Sequence, residues 1–343
     1  MVPCCLRVLR WGVSVVVAAV VLAWFAGELL TDMYAWSQWL WWIPSLVAAI
    51  AAAMGALATV SIDRLRRRKN CADVEQSPIG TRPAVAPAAL WTVAIVLTGH
   101  WATLEHALWR SRGEPGDNDL RIVHWNMTKQ EIGSDEDPYV RELLELSGDV
   151  TILTDAWVAR GHPDVQQWAD EREASILHMG PFTLLSVVPL DSVRWILARD
   201  GMYVARFLLD THESLGRPVV VYAVDLPSAP DLARHEITST VREAIDTAED
   251  LPPDLVIGDM NITRRSVSLQ TMFPGYDHAY DLAGGRYAAS FPQRWPIVHI
   301  DHALVGPGLD VSRYELTDPG ASRHLAQQIW ISPAGQQAAG SID

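Results

Sequence analysis

Residues 255–261 read LVIGDMN, an apolar run that ends in Gly, Asp and Asn. The design recurs along the chain. RIVHW (121–125) ends in Asn126, VTILT (150–154) in Asp155 and VVVYAV (219–224) in Asp225. Asp301 and His302 interrupt PIVHIDHALV (296–305), and Ser322, Arg323 and His324 precede a last apolar stretch. Short runs rich in Val, Ile and Leu are strand candidates, and 182–188 and 203–209 add two more. Side chains at the ends of neighbouring strands can converge on one edge of a sheet, a common place for a site.

Helical patterns separate several of these runs. Asp137 and Pro138 read as an N-cap followed by Pro at the first helical position, with Gly148 closing that helix, and 233–249 reads as a second, more polar helix. VVVYAV is apolar throughout, as in a sheet covered on both faces, whereas YVARFLL (203–209) alternates less cleanly. The pattern predicts a mixed α/β sandwich. There is no internal sequence repeat and no low-complexity tract.

The 343 residues divide by composition. Residues 11–27, 33–62 and 83–104 carry no charged side chain, and each run reaches or approaches the ~20 residues that cross a ~30 Å hydrocarbon layer. A three-helix transmembrane anchor is expected over 1–110, a Gly- and Pro-containing linker over 111–119, the α/β domain over 120–335 and a tail over 336–343. Trp36, Trp39, Trp41 and Trp42 crowd one end of the second run, with Trp101 and Trp109 after the third; such rings favour the interface, and both clusters should face the same side. Arg7 and Arg10 precede the first run, and Arg64, Arg66, Arg67, Arg68, Lys69 and Arg82 lie between the second and third. The positive-inside rule puts these in the cytoplasm and residues 111–343 outside it. Were the first run a cleaved signal peptide, the other two would fix the same topology. Glu28, His100 and Glu105 fall near helix ends, where interface residues are expected rather than a proton path.

Residues 1–110 hold 9 of the 27 Lys and Arg and 6 of the 41 Asp and Glu, so the remaining 233 residues carry a net −17. Such a domain repels a polyphosphate backbone, which argues against nucleic acid as a partner. Cys4, Cys5 and Cys71 all lie in the anchor region, so the domain uses neither a disulfide nor a thiol nucleophile, and this suits an oxidising compartment.

Carboxylates, two Asn and a His at strand ends suit a hard cation and water activation near a phosphate. His124, His278, His299 and His302 have no spacing of a known zinc site. The order HWNM, DVTILTDAW, LLSVVPL, VVVYAVDLPS, IGDMN, SFPQRWPIVHIDHALV, SRH resembles the endonuclease/exonuclease/phosphatase superfamily, with its deoxyribonuclease-I-like two-sheet fold, over about residues 120–331. Three apolar runs before such a domain resemble membrane-anchored bacterial members of that group.

The resemblance implies roles. Asn126 matches the first-strand Asn near metal and phosphate, and Asp155 takes the place of the second-strand metal ligand, normally Glu. Asp259 matches the Asp that orients or deprotonates the attacking water, Asn261 the Asn that holds a phosphate oxygen, and Asp301 the carboxylate paired with the terminal His, here His324. It further implies Mg2+ or Mn2+ and in-line attack on phosphorus. Two more positions depart from the pattern: Asp225 stands where His is usual, and Arg323 where the final motif has Asp. A divalent ion close to Arg323 is opposed by several kcal/mol (~4 per unit-charge pair at ~4 Å and an effective dielectric of ~20), unless Arg323 turns away or grips phosphate. The sequence therefore predicts a metal-dependent phosphoesterase in a bacterial inner (plasma) membrane. Its domain would be extracytoplasmic, facing a small or lipid-linked phosphoester. A degenerate member that binds a ligand or protein without turnover is the alternative.

Overall fold

The computed structural model describes residues 2–73, 85–127 and 137–335. Arg82, the 336–343 tail and the side chains of Arg67, Arg68, Lys69, Cys4, Cys71 and Asp137 lie outside the described residues. The chain forms two compact units, Met1–Glu105 and His106–Asp343, taken here in turn.

The first unit is helical: α1 (Val2–Leu30), the short α2 (Ser37–Trp41), α3 (Ser45–Asp73), α4 (Val85–His100) and a π-helical turn, Trp101–Glu105. Cys5–Leu30, Ser45–Arg66 and Ala86–Glu105 are each long and apolar enough to cross a membrane, at 26, 22 and 20 residues. The expected second run, 33–62, is not one helix. It breaks before Ser45, where Pro44 supplies no N–H and restricts the residue ahead of it. Small residues let the helices approach closely: Ala48, Ala52 and Ala56 of α3 are fully buried, and a Cβ on Gly55 would meet Val17 Cγ2 at 2.5 Å. Val16, Leu22, Ile50, Leu57, Ile95 and Val96 point outward, an apolar exterior that suits lipid.

Among the described residues, the second unit holds two six-stranded sheets. One contains β1 (Leu120–Asn126), β2 (Val150–Thr154), β3 (Ser175–Met179) and β4 (Phe182–Ser186). The other contains β5 (Leu190–Arg199), β6 (Met202–Leu209), β7 (Val219–Asp225), β8 (Leu255–Asp259), β9 (Asp277–His278) and β10 (Asp301–Val305). The chain then returns to the first sheet with β11 (Leu309–Thr317) and β12 (Ala326–Pro333), giving orders β11-β12-β1-β2-β4-β3 and β5-β6-β7-β8-β10-β9. Each sheet has a central parallel pair, β1–β2 or β7–β8, flanked by antiparallel strands. Helix α5 (Asp137–Leu146) lies between the first pair in sequence, α6 (Pro163–Arg172) follows β2, α7 (His212–Leu215) precedes β7, α8 (Arg234–Thr247) lies between β7 and β8, and α9 (Val267–Met272) and α10 (Ala279–Ala283) follow β8.

The two-residue period of a strand sorts these side chains into layers. Ile122, Ile152 and Leu184 of one sheet meet Phe207, Val221, Ile257 and Ala303 of the other in the central core. Val123, Trp125 and Leu153 face outward to Val140 and Leu143 of α5 and Trp168 of α6, while Val220, Val224 and Val256 face Ile237 and Val241 of α8. The order is thus helix, sheet, sheet, helix, the expected two-sheet sandwich. Full burial of one such side chain contributes ~1.5–3 kcal/mol. The same parity carries polar residues inward: counting along β1, Leu120, Ile122, His124 and Asn126 share the inner face, as do Leu255, Ile257 and Asp259 on β8. One end of the central layer is therefore polar, and the site lies there.

Candidate functional site

Register places three aspartates side by side. Asp259 is the Cα partner of Asp225 across the parallel β7–β8 pair and of Asp301 across the antiparallel β8–β10 pair. Like charges opposite one another are destabilising, so the arrangement needs compensation. Asn126 Nδ2 donates to Asp259 Oδ2 at 2.8 Å, and the Asn261 backbone N–H donates to Asp259 Oδ1 at 3.0 Å. His324 Nδ1 stands 3.0 Å from Asp301 Oδ2 and 3.9 Å from Asp259 Oδ2. Ser322 Oγ donates to the Asn126 carbonyl at 2.6 Å and accepts the His324 backbone N–H at 3.1 Å, fixing the His-bearing turn to the end of β1.

These contacts set the protonation states. Burial, then the Asp301 charge, pushes Asp259 up to about 7, with His324 and the Asn126 hydrogen bond pulling the other way. Burial alone would lower His324, but the Asp301 charge and hydrogen bond and the Asp259 charge raise it to about 9. Burial likewise works against ionised Asp301, yet the His324 charge and hydrogen bond hold it below the usual carboxylate range. At neutral pH the pair is Asp301 carboxylate and His324 imidazolium, beside an Asp259 poised to take or give a proton.

The cluster opens on a cleft of about 780 Å³ lined by Asn126, Asp155, Trp157, Arg160, Tyr203, Asp225, Ser228, Asp259, Asn261, Phe291, Arg323 and His324, among others. Asn126, Asp155, Asp259, Asn261, Arg323 and His324 thus converge on the cleft, with Asp301 behind them. It is fully buried and pairs with His324. Asn261 has φ 50° and donates Nδ2 to the Leu226 carbonyl at 2.8 Å, so one amide N–H braces the β7 end. Asp155 has φ 54°, the left-handed region, which ends β2 and turns the chain along the cleft wall. Arg323 is exposed, its guanidinium 5.8 Å from the centre of the Phe291 ring.

Sequence reasoning missed Arg160. It lies over the Trp157 ring at 4.0 Å and donates to the Gly180 carbonyl, which puts a second guanidinium on the cleft. Its only signal was its place just after DAW. Arg234 was missed too: fully buried, it donates to the carbonyls of Pro227 and Ala229 and fixes the loop that carries Ser228.

The four histidines without zinc spacing are all buried. His278 accepts the Tyr280 backbone N–H at Nδ1 (3.1 Å), so its Nε2 donates to His302 Nδ1 (2.7 Å), and His302 Nε2 donates to the Ile262 carbonyl (2.6 Å). Gln327 Nε2 donates to His124 Nδ1 at 3.0 Å, leaving His124 Nε2 to meet Thr154 Oγ1 at 3.1 Å. The ring nitrogens of His124, His278 and His302 hold hydrogen bonds that pin the chain next to Asn261 and Asp155.

No protein-family model matches the chain, and no curated protein does. Among solved structures similar to it is an endonuclease/exonuclease/phosphatase family protein from Bacteroides thetaiotaomicron, at 15% identity and TM-score 0.48 over 64% of this chain and 98% of that one. Another is the human Nocturnin catalytic domain with bound sulfate, at 15% identity and TM-score 0.49 over 64% of this chain and 97% of that one. A mannosyl-6-phosphatase from Bacteroides thetaiotaomicron is similar at 13% identity and TM-score 0.46, over 62% of this chain and 99% of that one.

Proposed function

We propose that this chain is a membrane-anchored hydrolase of phosphoesters, with its α/β domain on the extracytoplasmic side of a bacterial inner membrane. The observation that carries the reading is the buried Asp301–His324–Asp259–Asn126 array opening on a cleft that also holds Arg160 and Arg323. Two guanidiniums match the non-bridging oxygens of a phosphate. The His324 imidazolium can donate to an oxygen that gains charge as the ester breaks, and such fixed donors are worth ~10²–10³ in rate. Asp259, near neutrality and held by two hydrogen bonds, can orient a water and accept its proton, worth ~10²–10⁴.

The amide of Asn126 and the carboxylates of Asp155, Asp225 and Asp259 form an oxygen-rich lining, the donor chemistry of a hard divalent cation such as Mg2+ or Mn2+. When bound by Asn126 and Asp155, such a cation would supply charge neutralisation at the phosphoryl oxygens. The net −17 of the domain region favours a small or lipid-linked phosphoester over nucleic acid.

The test uses the full chain purified in detergent, with Mg2+ or Mn2+, against an aryl phosphodiester, an aryl phosphomonoester and a lipid phosphate in vesicles. Turnover of at least one, lost with chelator and lost in Asp259→Asn, is the expected result. Absence of turnover on all three substrates would leave a ligand-binding module as the reading.

A further inference from the structure

We propose that the turn from Phe291 to Val298 is a membrane-docking tip, which seats Trp295 and Ile297 in the interfacial layer of a bilayer beside the cleft. Trp295 is 82% exposed, more than any other large apolar side chain among the described residues, the outward-facing ones of the long helices included. Ile297, two residues on, is 58% exposed. An indole and a branched aliphatic left together in water forgo the gain that burial brings, which marks the tip as a surface to be covered.

The turn is built to hold these side chains out. The Phe291 carbonyl accepts the backbone N–H groups of Ile297 (2.9 Å) and Val298 (3.0 Å), and the Pro292 carbonyl accepts that of Trp295 (3.1 Å). Pro292 and Pro296 fix two further φ angles. Gln293 ties the turn down from the side: its N–H donates to the Arg323 carbonyl at 2.7 Å, and its side-chain amide donates to both Asp318 oxygens at 2.8 and 2.9 Å. A surface held rigid in advance loses little ordering entropy when it docks. The base of the turn belongs to the site, since Phe291 lines the cleft with its ring centre 4.8 Å from that of His324.

Continuity of the chain names the occupant. Tyr287 Oη donates to the Pro296 carbonyl at 2.6 Å, next to Trp295, and the Tyr287 ring stacks on His106 with centres 4.0 Å apart. Tyr280 Oη donates to the His106 carbonyl and fixes that residue in the domain. His106 follows directly on Ala86–Glu105, a span long enough to cross a membrane. Covalent connection thus keeps this corner of the domain at the edge of any bilayer the span crosses, and Leu108 and Trp109, the next large apolar residues, are exposed as well. Charge selects the mode of attachment. A region with a net −17 gains nothing from broad electrostatic adsorption to anionic lipid, so its contact has to be local and apolar. Trp295 and Ile297 supply that, and the exposed Arg294 beside them can lay its stem on the surface with its charge among the headgroups. The inference rests on the anchored reading above and needs no turnover.

The experiment uses the full chain in phosphatidylcholine nanodiscs, with Cys4, Cys5 and Cys71 replaced by Ser and an environment-sensitive fluorophore on Ile297→Cys. A second preparation carries the label on Glu213→Cys, an exposed site on α7 at the start of β7 and so at the far end of that strand from Asp225. Lipid spin-labelled high on its acyl chain should quench the label at 297 about twofold or more and leave the one at 213 unchanged, as expected for a group seated at the headgroup–acyl boundary. Trp295→Asp should bring quenching at 297 down to the level at 213. Asp259→Asn should leave it intact, so loss of the hydrolase reading would not touch this result. The proposal is overturned if 297 is quenched no more than 213, or if Trp295→Asp leaves the quenching in place, which would mean proximity without docking. A second copy covering the tip would show instead as shielding that grows with protein concentration in detergent, and that too would overturn it.

Discussion

Asp259 and Asp301 sit opposite each other on β8 and β10, two buried carboxylates that share one cation, His324, at 3.9 and 3.0 Å. Burial and then the Asp301 charge raise Asp259 to about 7, and Asp301 outweighs burial to raise His324 to about 9, so one residue bears on two ionisations.

That coupling predicts the pH–rate curve. If Asp259 acts ionised and His324 protonated, kcat/KM should rise through about 7 and fall through about 9. Asp301→Asn removes the charge that raises both, so both limbs should move to lower pH, the alkaline one included. An alkaline limb that stays in place would show that His324 is not the acidic group.

Stability should have a maximum close to pH 6.5–7, read as melting temperature against pH. His124 and His302 are lowered by burial from 6.5 to about 4, so between those values the unfolded chain binds protons that the folded one does not. Stability is therefore lost as pH falls through that window, by ~3 kcal/mol for each such His at pH 4. Asp259, raised from 3.8 to about 7, offsets part of this because its folded form keeps a proton across the same range. His324, raised to about 9, contributes stability that is whole below 6.5 and lost as pH rises through 9. A domain still cooperatively folded at pH 4 would contradict the buried neutral histidines.

Gly258→Ala should be among the most damaging single changes. Gly258 has φ 155°, and a Cβ there would lie 1.8 Å from the Val224 carbonyl oxygen of the paired strand. Separating β7 from β8 costs ~1–3 kcal/mol in overpacking and a similar amount in backbone strain. Urea unfolding should show the loss, and no change in midpoint would mean the strands can part at no cost.

The departures Asp225 and Arg323 predict a weak catalyst that responds to repair. Asp225→His with Arg323→Asp breaks the row of three aspartates on β7, β8 and β10 and adds a carboxylate beside the cleft. Metal affinity and phosphodiester turnover should both rise in steady-state assays. A double variant that folds and gains neither would mean that Arg323 serves this chain's own substrate.

Topology is checked by reporter fusions. An export-dependent reporter should be active after Arg110 and silent after Arg82. The reverse pattern would place the domain in the cytoplasm.

Much of the site was legible because period-2 alternation and strand-end polarity are written locally: Asn126, Asp155, Asp225 and Asp259 each close an apolar run. What escaped is what depends on neighbours. β3 and β5 are edge strands whose exposed residues dilute the apolar signal, and Arg194 and Arg199 make β5 read as a loop. Arg160 is held on the cleft by the Trp157 ring and the Gly180 carbonyl, contacts that no local pattern announces. Burial of Asp301 behind His324 is a product of strand pairing.

The pairing of β1 with β12 has a consequence in time. Leu120 is matched with Ile331 and His124 with Gln327, so the first strand of the domain to leave the ribosome waits about 200 residues for one of its two neighbours. Until then one edge of β1 is an open row of backbone donors and acceptors, next to the very segment that carries Asn126. A chain cut short just before β12 would keep most of its strands yet lack the one that follows His324 and pairs with β1. The C-terminal stretch thus acts as a completion check: an unfinished copy stays open-edged and exposed to proteolysis.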